Sequence, residues 1–343
     1  MNARLTKELF DRTGRPRKGT LTAAFAALVC AASLALPARS AAPPSPSVQG
    51  PAGSGSSPPA EPAQAALSEA DNPTQRVTVE ARRELEQAVH TYVEKLTHST
   101  RFHHDSIARF REPLCLAVTG MPNAETQYVL KRVPEIATAA GAQIRPQGCS
   151  PYNFIVVFTP DADQLVKDWH GRDAVLFDAN ASPPQVDRFL SPSTPTVVRV
   201  WHNGVIYGRD GPVQSANAGA GVAPDPKVGF ATQTFTDSRL TMESVVGLSL
   251  AIVVIDTTRT NGAKLGQLAD YAAMVGLVDI QSATDLGDAP TILRLFTEPP
   301  EARPRHLTAW DQAFLKAIYQ NTELDSRTQR SQIAGRIVQD VSP

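Results

Sequence analysis

The sequence predicts an α+β domain, a mixed sheet flanked by helices, placed after an export leader and a disordered linker. Three observations carry this. A basic stretch followed by sixteen uncharged residues opens the chain, and a Pro/Ala/Ser-rich stretch follows it. Beyond residue 75, short β-branched runs and longer amphipathic stretches are intermixed without strict β-α alternation. The balance of 33 Lys+Arg against 34 Asp+Glu, with 42% hydrophobic residues, excludes a polybasic nucleic-acid binder and a polytopic membrane protein. That near-neutrality is the sum of two unlike parts. Seven Lys/Arg against two acids give residues 1–40 a charge of +5, leaving −6 for the rest.

Residues 1–18 are basic, residues 21–36 (LTAAFAALVCAASLAL) are uncharged, and Pro37-Ala38-Arg39-Ser40 supplies small residues for cleavage. Together they read as a signal peptide over residues 1–40, cut near Ser40/Ala41. A retained anchor is the alternative, although sixteen residues fall short of the roughly 20 that span a bilayer. The expected compartment is therefore periplasmic or extracellular, with membrane contact only through an uncleaved leader. Residues 41–75 hold eight of the chain's 28 prolines and almost no large apolar side chains, and read as a disordered tether. With Cys30 in the leader, Cys115 and Cys149 remain, both beside expected strands of one β-α-β stretch. Export favours a disulfide between them. Two unpaired buried thiols are the alternative, and the sequence gives no Cα separation with which to decide.

Residues 76–343 are read as one globular domain. The stretch 80–98 places Leu85, Val89, Tyr92, Val93 and Leu96 on one helical stripe. Residues 114–119 (LCLAVT) read as a strand, 124–140 as a helix ending near Gly141 and bent or split at Pro134, and 153–158 (NFIVVF) as a buried strand. A short helix follows at 161–169. Residues 196–201 and 205–207 are expected to form a hairpin around His202-Asn203-Gly204, with a Gly/Pro-rich loop at 208–229. Residues 249–256 (SLAIVVID) make the strongest strand, and 264–278, 308–319 and 326–341 read as helices. Thr308-Ala309-Trp310-Asp311 opens the second of these helices as a capping box, with Asp in the usual Glu position.

Residues 269–279 read ADYAAMVGLVD, and Ala289-Pro290-Thr291-Ile292-Leu293 and Leu307-Thr308-Ala309-Trp310-Asp311 follow. This order resembles the C-terminal part of zincin metallopeptidases of the metzincin type. There a helix bearing HExxHxxGxxH precedes a Met-containing turn and an L-T-x-x-D helix start. Aligned on Gly276, the two helix histidines of the family fall on Ala269 and Ala273, the glutamate on Asp270 and the third ligand on Asp279. Leu293 stands where the turn has Met. Two His at i and i+4 hold Zn²⁺ from one helix face while Glu polarises water, and alanine offers no lone pair. The resemblance therefore implies a degenerate site. The whole of 105–340 is also similar to uncharacterised secreted proteobacterial proteins with the same layout. The expectation is an exported, catalytically inactive binding or scaffold protein of the envelope, without cofactor or metal, whose partner is an envelope protein or a peptide lying in a groove along 264–278. A metal-dependent hydrolase with non-standard ligands and a purely structural envelope protein are the alternatives.

Asp270, Asp279 and His306 are the residual candidates for chemistry. Asp270 reads first as a structural carboxylate, facing water or pairing with an arginine such as Arg294. His306 lies where a cleft edge would be. The spacing of His98, His103 and His104 matches no standard metal site, and His202 reads as a turn residue. Asp256, closing an apolar strand, suits a turn with Thr257 and Thr258. Gly247-Leu248-Ser249 lacks the strand-then-helix order of a nucleophile elbow. No Gly-Lys-Ser/Thr cradle for phosphate is present.

Overall fold

The computed structural model describes residues 73–97, 107–172, 183–192, 196–208, 211–215, 245–281, 285–321 and 326–342. The leader, most of the linker, His98, His103, His104 and the 208–229 loop apart from Gly208, Gly211 and residues 212–215 lie outside the described residues. From Val77 onward the described residues belong to one unit. In chain order they form α1 (Pro73–Thr97), β1 (Arg109–Phe110), β2 (Leu116–Thr119), α2 (Asn123–Ala140), β3 (Phe154–Thr159), α3 (Ala162–Arg172) and α4 (Pro183–Leu190). There follow β4 (Val198–Gly208), β5 (Gly211–Ser215), β6 (Val245–Asp256), α5 (Leu265–Leu277), a 3₁₀ turn (Ile292–Phe296), α6 (Ala309–Gln320) and α7 (Ser326–Val341).

The apolar run of β6 is explained by its place. It runs parallel to β3 from Phe154↔Ala251 to Thr159↔Asp256, and antiparallel to β4 on its other side. The short β1 extends the β3 side, pairing at Gly247 and Leu248. The sheet order is β2-β3-β6-β4-β5. A strand covered on both faces reads as a continuous hydrophobic run rather than an alternating one. One face is covered by the cluster that takes in α1, α2, α5, α6 and α7, the other by α3 and α4, whose Val166, Trp169 and Phe189 share a cluster with Trp201 of β4. The mixed sheet flanked by helices is as the sequence implies. The α+β expectation is refined, because β2, β3 and β6 are parallel and helices lie between them in sequence.

Helix α5 is the innermost helix. Every residue from Gln267 to Leu277 is buried, and it approaches the sheet closely at Gly276, where an added Cβ would lie 2.4 Å from Phe154 Cζ. The turn after β2 depends on Gly120 in a second way. Its φ of +91° is left-handed, and a Cβ there would meet the Phe158 carbonyl oxygen at 1.8 Å.

Several local expectations are corrected. Helix α2 is not split at Pro134, and it ends as expected at Gly141, whose φ of 103° lets its N–H reach Ala137 and Thr138 carbonyls. Residues 198–208 are one strand, not a hairpin. The register shift between Asn203 and Gly204 is a bulge within pairing to β6, and Asn-Gly, the commonest turn dipeptide, marks a bulge here. The disulfide expected between Cys115 and Cys149 is present, with Cα atoms 5.9 Å apart. It ties the start of β2 to the loop before β3. Among the described residues no helix is long and apolar enough to cross a membrane.

The capping box opens α6 as expected, but Asp311 does more than cap. Its Oδ1 accepts from Tyr92 Oη at 3.0 Å and Thr291 Oγ at 2.6 Å. Its Oδ2 accepts from the backbone N–H groups of Ile292 (2.7 Å) and Thr308 (2.9 Å), and from Thr308 Oγ (2.9 Å). One fully buried carboxylate thus joins α1, the 3₁₀ turn and α6. Burial pushes the Asp311 carboxyl above the usual carboxylate range, and the bonds from Thr291, Thr308 and Ile292 draw it back down. Burial, then the charge of Asp311, pushes the Tyr92 hydroxyl well up. We expect Asp311→Ala to cost about 3 kcal/mol or more in urea unfolding, because buried donors lose their acceptor together. Conversion of both cysteines to serine should cost about 4 kcal/mol for a loop of this span, and thiol titration of the unfolded oxidised domain should find neither Cys115 nor Cys149 free.

Candidate functional site

The stretch that resembles a zincin active-site helix is α5, and the structure gives each of its named residues a place. Ala269 and Ala273 are fully buried in the main core. Along the helix expected to line a groove, every residue from Gln267 to Leu277 is buried. The reason lies in the composition of the helix. Ala, Leu, Met and Val surround it on all sides, and a helix apolar all round is buried all round.

Asp270 is the exception in that helix, and it is spoken for. Arg132 of α2 grips it with Nε–Oδ1 at 2.6 Å and Nη2–Oδ2 at 3.0 Å. The backbone N–H of Leu307 donates to Oδ2 at 2.8 Å. Asp270 has no exposed surface, so it does not face water, and its arginine is Arg132. Arg294 pairs instead with Glu298 one helical turn on. The hydrogen bond that Arg132 donates to Asp270 is the main reason that its guanidinium is held above its ordinary value. The fork and the Leu307 N–H together occupy three of the roughly four acceptor sites of the carboxylate. Asp270 is therefore a three-way tie between α2, α5 and the start of α6, closer to a buried salt bridge than to a general base. His306 is exposed, with Nδ1 3.9 Å from Asp270 Oδ2, too far for a hydrogen bond.

Asp279 is buried apart from this tie, just beyond the other end of α5. Its Oδ1 lies 3.4 Å from Nδ1 of His202, and its N–H donates to the Ala108 carbonyl at 3.0 Å. His202 is not a turn residue. It sits inside β4, 3% exposed, pointing toward the main core because its neighbour Trp201 faces α3 and α4. Its Nε2 is buried and has no hydrogen-bond partner among the described residues. The structure thus brings Asp279 to a histidine, but it does not bring Asp270, Asp279 and His306 together. Among the described residues no group of three or more His, Cys, Asp or Glu is arranged to hold a metal ion. His90 and His170 are exposed on α1 and α3.

A second polar network was not anticipated. Arg199, buried in β4, donates to the Phe189 (3.0 Å) and Leu190 (3.0 Å) carbonyls that close α4 and to Asp163 of α3. Arg259 donates to the other Asp163 oxygen at 3.0 Å, with its Nε 3.4 Å from Asp256. Burial, with the charge of Arg259 next in weight, holds the Arg199 guanidinium below its ordinary value. Asp256 also accepts from Thr258 N–H (3.0 Å) and Oγ (2.5 Å), the turn expected after β6. No local signal announces these pairs, since Arg199 and Asp163 are 36 residues apart and Arg132 and Asp270 are 138 apart. Ser249 lies within β6 and donates to the Asn203 carbonyl at 3.2 Å, not at an elbow.

Open space lies elsewhere. A groove of about 550 Å³ runs between α2 and α6, floored by Ile136, Ala140, Leu307 and Ala313. A second, of about 420 Å³, lies beside β2. No family model, no curated protein and no solved structure matches the chain.

Breaking the Arg132–Asp270 tie on one side should be worse than removing it entirely. We expect Asp270→Leu alone to destabilise by about 3 kcal/mol, since it leaves the Leu307 N–H and the Arg132 fork unpaired. The double variant Arg132→Met/Asp270→Leu should recover part of that loss in a double-mutant cycle read by thermal unfolding.

Proposed function

We propose that this chain is an exported, catalytically inactive protein of the cell envelope, a degenerate zincin-like domain that works by binding or scaffolding rather than by hydrolysis. The observation that carries the reading is the state of Asp270. At the position where a zincin would hold its general base, the carboxylate is sealed from solvent and gripped by Arg132 and the Leu307 N–H. The two positions that would carry helix histidines, Ala269 and Ala273, are core residues without a donor atom. The disulfide between Cys115 and Cys149 supports a periplasmic or extracellular location, because such bonds persist in oxidising compartments. The envelope, rather than a nucleic acid, is where a partner is sought.

One observation favours the hydrolase alternative. The His202–Asp279 pair leaves Nε2 with its lone pair or proton uncommitted, as a general base or a metal-bound imidazole would have it. Elemental analysis separates the two readings. The protein is exported with its own leader, purified from the periplasm without chelators or a histidine tag, and shown to be folded. We expect metal far below stoichiometric. Roughly one zinc per chain that is lost in His202→Ala, with the fold retained, would overturn the inactive reading and direct attention to Asp279.

A further inference from the structure

We infer that the open edge of β2, with the groove beside it, is a docking site for an extended acidic peptide segment that joins the sheet as a further strand. The inference rests on the binding reading above and gives it a partner class and a surface.

The edge comes first. Strand β2 is the terminal strand of the sheet order, and among the described residues Leu116–Thr119 pair only with β3. The loop after α2 reaches only the strand's foot. Ile144 forms a parallel bridge with Leu114, held by Leu114 N–H to Gln143 carbonyl and Arg145 N–H to Leu114 carbonyl, both 2.8 Å. Beyond that point no strand among the described residues covers the edge. A row of unpaired backbone groups is a template for another strand, and peptide capture by strand addition uses such an edge with a neighbouring pocket for alternate side chains.

The groove supplies the pocket. Leu116, Leu130, Pro134 and Ile144 give it apolar walls, on the side of β2 that α2 covers. Pro134 has no N–H to donate to the Leu130 carbonyl one turn earlier in α2. An intrahelical acceptor is thereby released among the lining residues.

The rim sets the charge. Lys131 and Arg145 line the groove, and among the described residues no carboxylate does. Lys131 is exposed, and its nearest acid is Glu135, with Nζ 3.9 Å from Oε1 at the limit of an ion pair. Arg145 donates through both Nη atoms to the Ser150 (3.2 Å) and Pro151 (2.8 Å) carbonyls, while its buried Nε has no partner among the described residues. Two cations beside apolar walls select a strand whose groove-facing positions alternate an apolar and an acidic side chain. Residues two apart face the same side of a strand, so the motif is apolar-x-acidic.

The test uses the oxidised mature chain and two fluorescein-labelled octapeptides, Ser-Val-Thr-Glu-Thr-Val-Thr-Glu and the same peptide with Lys in place of Glu. Fluorescence anisotropy should rise with the Glu peptide alone, and the affinity should fall with added salt. Amide shifts on binding should centre on Leu116–Thr119 and Ile144. Lys131→Glu, an exposed helix position whose change leaves folding intact, should weaken the Glu peptide about tenfold and bring in the Lys peptide. Equal binding of both peptides, no binding of either, or amide shifts confined to the α2–α6 groove would overturn the assignment. Those outcomes leave the inactive reading standing, because that reading is decided by metal content.

Discussion

Asp311 holds the helical layer together, and the rest of the main core is arranged around that fact. A carboxylate removed from water is costly unless its oxygens are fully used. Here five donors from three separate pieces of chain converge on two oxygens. Tyr92 reaches it from α1, and the same ring makes edge contacts with Trp310 and Phe314 of α6 at centroid distances of 5.5 and 5.8 Å. The carboxylate thus fixes where α6 starts, where the 3₁₀ turn sits and how α1 lies across both. Helix α5, buried from Gln267 to Leu277, belongs to the same core as this outer layer.

The second organising feature is the division of polar interactions between the two faces of the sheet. The main face carries Asp311, the Arg132–Asp270 fork and the His202–Asp279 pair. The other carries Arg199 and Arg259 around Asp163. Each sets a buried charged or titratable side chain against a partner distant in sequence. Buried pairs of this kind add little net stability over apolar packing, but they penalise every misregistered alternative. They are better understood as specifying which helix lies against which strand.

How much of this was legible follows from where the signals lie. Helices α1, α2, α5, α6 and α7 and strands β3 and β6 could be read from periodicity and apolar runs, because local pattern and burial agree in them. The capping box at Thr308 and the turn at Asp256 were legible because capping chemistry is local. His202 was misread because Asn203-Gly204 looks like a hairpin turn, and only the pairing of both flanks with β6 shows it as a bulge. Asp270 was read as structural, yet Arg132 could not be named, since nothing near either residue points across 138 positions of chain. Helix α4 left too short a pattern to be recognised. The groove beside β2 is invisible in sequence for the same reason that its walls come from β2, α2 and the loop after it.

The Arg132–Asp270 fork has a consequence for descent as well as for folding. Neither partner can change alone without stranding the other: loss of Asp270 leaves an arginine fork and the Leu307 N–H without an acceptor, and loss of Arg132 leaves a sealed carboxylate with one backbone donor. A lineage that acquires such a pair is held to it, because every single-step route away passes through a less stable protein. The helix on which Asp270 stands is then no longer free to be recruited for chemistry, and new function accumulates on surfaces that the pair does not constrain.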